Sequence, residues 1–176
     1  KIKSVNFKFN GYGKYLNFQK DNKVSEFISN YLKIPSIFSD IVLEGGAITY
    51  DDNSNLFSTK NVIFNKNRKQ TLSNEKILNE LKMQFNLKHI FLFENGLVGD
   101  DTDGHVDNLL CPIGNNKYLI ADTNKFNLNF NILDKNKKDL IAFFNDTQQK
   151  FELISIPLLS KKKINNKILI RSYINF

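Results

Sequence analysis

The sequence predicts an α/β fold built by repeating one supersecondary unit. Helical and strand-like hydrophobic patterns alternate along the chain, as they do where helices pack on sheets. The same succession also occurs twice, around Glu44 and around His105: a helix, then a short strand, then a hairpin with a functional-looking start. Its landmarks recur together. Glu44 and His105, the helix starts near Ser73 and Lys135, and the hairpin tips at Asp52 and Asn115 all repeat at about 62 residues, the mark of a structural repeat. Such units cannot bury their faces alone, so they stack side by side or around an axis.

Each element has its own signal. "SVNFKFNGYGKY" alternates and runs into a glycine turn, which reads as a strand. "NKVSEFISNYLKI" carries Val24, Phe27, Ile28, Tyr31 and Leu32 at helical spacing and is closed by Pro35. "DIVLEGGAITY", "DDNSN" and "LFSTKNVIF" read as strand, turn and strand. "SNEKILNELKMQFNL" is the clearest helix. Ser73 caps it, Ile77, Leu78, Leu81 and Phe85 form its apolar face, and Asn86 ends it. "HIFLF" is a short buried strand. "HVDNLLCPI", "GNN" and "KYLIAD" make a second hairpin, "KKDLIAFFNDTQQ" a helix, and "FELISIPL" and "KILIRSYI" further strands. We expect a single domain over residues 1–176 holding about two and a half repeat units. Both ends, "KIKSVNF" and "KILIRSYINF", lie inside strand-like patterns, and a closed ring needs more units, so the chain reads as a portion of something longer.

Composition narrows the partners. The 176 residues are 41% hydrophobic and 12% aromatic, enough for a real core. The net charge of +7 comes from lysines spread along the chain, many in surface-like runs such as "NKNRK" and "DKNKKD". Only "SKKK" is a tight cluster, and no basic stripe alternates with aromatics, so nucleic acid is not expected. No apolar run approaches the roughly 20 residues that span a bilayer, so no membrane is expected either. The one cysteine, Cys111, excludes a disulfide within the chain and fits a reducing compartment, the cytoplasm. Open strand edges in such an array leave room for a homo-oligomer.

The chemistry concentrates in "GLVGDDTDGHVDN", residues 96–108. A calcium loop does not fit: placing Asp101 and Asp103 at its middle positions puts Gly99 first and Leu110 last, where anchoring carboxylates are needed. His89, His105 and Cys111 make no zinc-ligand spacing. No metal or cofactor is expected. If the chain enters a strand at His105, then His105 and Asp107 share one face about 7 Å apart and a planar cation can lie against them. Spacing alone leaves the alternative open that the pair caps a turn. On the same strand Cys111 lies roughly 20 Å from His105, beyond the reach of a nucleophile and its base, so Cys111 reads as a core or edge residue. Glu44 in "LEGGAI" sits between an apolar run and a glycine pair, where an ionised carboxylate is costly unless paired. It holds the place in its unit that His105 holds in the next. Units that point the same ends at a common axis would bring the two together.

"FNGYGKY", "VLEGGAI", "DDTDGHVDN" and "SYINF", in that order, resemble the agmatine deiminases and bacterial-type peptidylarginine deiminases along essentially the whole chain. The resemblance implies a pentein, or amidinotransferase-like, fold: a five-bladed α/β propeller of ββαβ units. It implies hydrolysis of agmatine to N-carbamoylputrescine and ammonia, a step towards putrescine, through a covalent cysteine intermediate. Peptidylarginine deimination is the alternative activity, and a non-catalytic remnant the alternative of another class. Carried over by motif, His105 is the general acid/base, Asp107 a guanidinium-binding carboxylate, and Glu44 the carboxylate that orients His105 and helps hold the substrate. Asp100, Asp101 and Asp103 are left as turn residues. The family's Arg-Asp-x-Gly-Pro motif and its glycine-rich cysteine motif are not among these residues, and Tyr12 stands where the family usually has Trp. The 176 residues alone are therefore expected to be inactive.

Overall fold

The structure, a computed structural model, describes residues 2–159, 162–164 and 167–175. In chain order its elements are β1 (Ser4–Lys8), α1 (Val24–Tyr31), β2 (Ser36–Val42), β3 (Thr49–Tyr50), β4 (Asn55–Thr59), α2 (Lys60–Ile63), α3 (Asn74–Phe85), β5 (His89–Phe93), β6 (Leu110–Pro112), β7 (Lys117–Asp122), α4 (Phe130–Asp146), β8 (Glu152–Pro157), β9 (Lys162–Ile164) and β10 (Lys167–Leu169). The chain divides into two compact units, Lys1–Glu44 with Phe64–Asn86, and Gly45–Ile63 with Leu87–Phe176.

In the first unit β1 and β2 run parallel, with Ser4 opposite Ser36 and Lys8 opposite Val42, and α1 lies in the connection between them. The helix forms where periodicity predicts it, but its apolar stripe stays in the open: Phe27 is 70% exposed and Tyr31 77%. Its buried residue is Ser29, whose Oγ lies 2.7 Å from the Ser25 carbonyl oxygen and 2.8 Å from Ser4 Oγ. Helix α3 matches its expected ends. Ser73 Oγ accepts from the Lys76 N–H, Asn86 closes the helix in a left-handed conformation, and Ile77 and Leu81 are fully buried.

The repeat is visible in the second unit as two sheets of like topology. β3 pairs antiparallel with β4, which pairs parallel with β5; β6 pairs antiparallel with β7, which pairs parallel with β8. A parallel partner needs a crossover, and α3 and α4 occupy those connections. The core is aromatic. Phe57 packs edge-on to Tyr118 and Phe143, and Phe144 stacks on Phe151 with ring centroids 4.9 Å apart. The Tyr118 hydroxyl donates to Asp51 Oδ2 at 2.7 Å, and burial beside that carboxylate raises its pKa.

Some stretches depart locally from the sequence reading. "DIVLEGGAITY" is not one strand: β2 stops at Val42, Gly45–Ala47 make a 3-10 turn, and β3 starts at Thr49. "LFSTKNVIF" is strand only to Thr59, because the Thr59 hydroxyl accepts the Val62 N–H and starts α2. In "KILIRSYI" only Lys167–Leu169 is strand. In the first two cases a turn-forming residue or a capping side chain outcompetes β propensity. No helix among the described residues is long and apolar enough to cross a membrane.

Candidate active site

Three stretches of the second unit converge on His105. The first is the loop from Gly96 to Asn108. Gly96 and Gly104 cross so closely that a Cβ on Gly96 would overlap the backbone of Gly104. Asp103 and Gly104 both adopt left-handed backbone, with φ of 67° and 103°. Asp100 organises this loop. Its Oδ1 accepts from the Thr102 N–H at 2.8 Å and the Thr102 hydroxyl at 2.6 Å, and its Oδ2 accepts from the His105 N–H at 3.0 Å. That matches the turn-shaping role expected for it.

Here the strand expectation fails. His105 does not open a strand; it precedes a 3-10 turn over Val106–Asn108, closed by the Leu109 N–H on the Val106 carbonyl at 2.8 Å. The alternation that suggested a shared strand face, and the spacing drawn from it, therefore do not apply. Asp100 takes the backbone N–H that a ladder would have used, and pairing begins only at Leu110. His105 and Asp107 are brought together all the same, by the turn.

The second stretch is the Gly45–Ala47 turn. A Cβ on Gly46 would run into Asp107 Oδ2 and come within 2.5 Å of His105 Nδ1. Only glycine leaves room for both side chains, which gives the second glycine of "EGG" a physical reason. The third stretch is the end of β4. Adjacent strand residues point to opposite faces, and here both are hydroxyls. Ser58 Oγ donates to the Ala47 carbonyl at 2.6 Å and Thr59 Oγ1 to the Gly104 carbonyl at 2.7 Å. Each tethers one of the two other stretches. Sequence reading passed over both residues, because a hydroxyl at a strand end is common and carries no motif.

His105 is buried, at 6% exposure. Asp107 is half-buried. Its Oδ2 accepts from Asn175 Nδ2 at 3.0 Å, so "SYINF" reaches this site through Asn175. Its Oδ1 is buried and accepts no hydrogen bond from the described residues. Burial pushes the Asp107 carboxyl above its ordinary range; His105 pulls it down, Asp100 pushes it up, and the Asn108 backbone N–H lowers it. A desolvated carboxylate with an unused oxygen is suited to a cationic donor. Cys111 sits on β6 opposite Leu119, with Sγ 3.8 Å from the Pro112 carbonyl oxygen. Burial raises its pKa, which keeps it a thiol rather than a nucleophilic thiolate.

Glu44 belongs to the first unit, and the pairing that its burial demands comes there from Arg68. Arg68 Nε donates to Glu44 Oε1 at 2.9 Å, with side-chain exposures of 0% and 5%. This corrects the reading of "NKNRK" as surface: Arg68 is among the most buried side chains of the protein. Its place follows from the 3-10 turn Lys66–Arg68, which Asn65 caps through the Asn67 N–H. Asn10 Nδ2 donates to the Arg68 carbonyl at 2.9 Å, and a Cβ on Gly13 would overlap the Asn67 carbonyl. The Arg68 guanidinium also lies 5.8 Å from the Tyr12 ring centroid. The signal was a lone arginine in a lysine-rich run, a residue suited to planar pairing with a carboxylate.

A family model described as Porphyromonas-type peptidyl-arginine deiminase matches residues 1–176. An agmatine deiminase of Medicago truncatula is 33% identical over 129 residues, 70% of this chain and 34% of that protein. A substrate-bound agmatine deiminase of C. jejuni superposes with a TM-score of 0.86 at 28% identity, the match covering 99% of this chain and 51% of that one. An Enterococcus faecalis agmatine deiminase, 22% identical, shares the fold with a TM-score of 0.87. The chain spans about half the length of the relatives it matches, 45% for a Vibrio parahaemolyticus protein 28% identical over 162 residues. The fold is thus the α/β pentein type, and the chain belongs to the Porphyromonas-type peptidyl-arginine deiminase family.

Proposed function

We propose that these residues supply the acid/base and substrate-gripping part of a guanidine deiminase acting on agmatine. The observation that carries this reading is Asp107: a half-buried carboxylate beside a buried imidazole, with one buried oxygen that no described residue uses. A guanidinium presents planar N–H donors to such an oxygen, and a charge-assisted bond there holds the reacting carbon in place. Glu44, ion-paired with Arg68, is by its motif the second carboxylate.

In this mechanism a cysteine thiolate from outside the 176 residues attacks the guanidinium carbon. His105 gives a proton to the departing nitrogen, and ammonia leaves. A covalent thiouronium remains. His105 then takes a proton from water, the resulting hydroxide attacks the same carbon, and the C–S bond breaks to expel the thiolate while the added hydroxyl loses its proton to solvent and becomes the carbonyl of N-carbamoylputrescine. The agmatine deiminase names of the relatives support agmatine; the family description favours a second reading, an arginine side chain within a peptide.

The test is ammonia release by the complete enzyme from agmatine, free arginine and an arginine peptide. Agmatine should be preferred, and His105→Ala should cost about a hundredfold or more. An undiminished rate in His105→Ala removes His105 from its role, and preference for the peptide replaces the substrate. The 176-residue chain alone should release no ammonia, with Cys111→Ser indistinguishable from it.

A further inference from the structure

We propose that Thr59 and Asp100 are positioning residues that clamp a single peptide group, Gly104–His105, and through it aim the His105 ring. The proposal rests on His105 being the acid/base, and it assigns what holds that base still. The peptide is gripped at both ends by side chains. Its carbonyl accepts the Thr59 hydroxyl at 2.7 Å, and its N–H donates to Asp100 Oδ2 at 3.0 Å. Neither bond belongs to a helix or a strand ladder, so the backbone entering His105 is set by two side chains rather than by secondary structure.

The loop needs such a clamp. Residues 99–104, "GDDTDG", include two glycines, and three of the six, Gly99, Asp103 and Gly104, sit in left-handed backbone. A stretch of this composition has many accessible conformations, and fixing each residue costs roughly 1–2 kcal/mol. An acid/base displaced by about 1 Å loses about a hundredfold in rate. Thr59 is the appropriate anchor because it is not in a loop. It is fully buried at the end of β4 and pairs there with Phe93 in the parallel ladder. Its neighbour Ser58, on the other face, fixes the Gly45–Ala47 turn, which presses against His105 and Asp107. One rigid strand end therefore registers both surfaces that bound the His105 ring.

Thr59 has a second duty, since it also accepts the Val62 N–H at 3.2 Å and starts α2. The test must separate positioning from simple stability. The chain has two histidines, so His89 on β5 serves as an internal control. In the 176-residue protein, the ring signals of both histidines and the exchange rate of the His105 amide are followed by NMR at fixed pH. Thr59→Val should move the His105 ring signals beyond their line width and speed His105 amide exchange by about tenfold or more, as local opening does. His89 should stay in place, and Thr59→Ser, which keeps the hydroxyl, should restore the native spectrum. Native His105 signals in Thr59→Val, or equal movement of both histidines, overturn the proposal. If Thr59→Val does not fold, Asp100→Ala decides: the His105 N–H then loses its acceptor, and unmoved His105 signals overturn the clamp. None of these readouts needs turnover. A complete enzyme that releases no ammonia would sink the deiminase reading while the clamp stood, and an active one with His105 indifferent to both variants would sink the clamp alone.

Discussion

Two carboxylates carry the proposed chemistry, and their surroundings are opposite. Glu44 is nearly inaccessible and already holds a cation, Arg68, at 2.9 Å. Asp107 is half-buried and paired with no lysine or arginine among the described residues; an asparagine takes one oxygen and none of the described residues takes the other. The first has the cost of its burial met inside the fold by that ion pair, so its position is fixed before any ligand arrives. The second is held at a disadvantage, with its pKa raised by burial, and a cation from outside relieves it. A residue with an internal cation has less to gain from an external one, which leaves Asp107 as the carboxylate of the proposal better suited to an incoming cation.

The contrast is broken most severely at Arg68. Arg68→Met should cost about 3–5 kcal/mol in urea unfolding, because it strands a buried carboxylate. Adding Glu44→Gln should recover part of that loss; a purely additive double variant would show that the two are not a pair.

Asp107→Asn should behave in the reverse sense. It should not destabilise the protein at neutral pH, since it removes a charge that the fold disfavours, yet guanidinium affinity should fall about tenfold to a hundredfold, the worth of one charge-assisted bond. Unchanged affinity by calorimetry would take Asp107 out of the substrate site. Gly46→Ala sharpens the same point by steric means. Its Cβ drives into Asp107 Oδ2 and the His105 ring, and the variant should lose about 1–3 kcal/mol of stability together with guanidinium binding. A stable variant that binds normally would mean the turn gives way.

The smallest effect is the pH dependence. Because the folded Asp107 carboxyl is raised above its unfolded value, its contribution to stability is present at low pH, below the unfolded value, and is lost as pH rises through the folded one. Guanidinium binding runs the other way: it needs the anion and should weaken as pH falls, starting above the ordinary carboxylate range. Thermal melts and ligand titrations across pH check both, and Asp107→Asn should flatten both curves. A wild-type binding curve that declines only within the ordinary carboxylate range would remove the raised Asp107 from the account.

Much of this was legible without coordinates. Periodicity located α1 and α3, and the cap signals at Ser73 and Asn86 set both ends of α3, because helix termini are satisfied by adjacent residues. The period near 62 residues anticipated the two sheets of like topology, since a repeated unit repeats its hydrophobic pattern, but not the start of α4, which lies at Phe130 and not near Lys135. "EGG" and "GHVDN" pointed to Glu44, His105 and Asp107. What periodicity could not say is what covers a face: α4 buries Leu133, Leu140 and Phe144, whereas the equally regular stripe of α1 lies exposed. Nor could it assign the partners. Arg68 looked like one more surface cation, Ser58 and Thr59 like ordinary strand residues, and His105 like the start of a strand. Arg68 and the two hydroxyls were decided by residues distant in sequence, Glu44 for Arg68 and Ala47 and Gly104 for the hydroxyls, whereas the strand at His105 was lost to Asp100, five residues before it. Local sequence determines propensity and hydrogen bonds that close within a few residues. Whether a buried polar group finds its partner across the chain is settled only when tertiary structure removes water from both, because only then is an unmet hydrogen bond costly enough to select one arrangement.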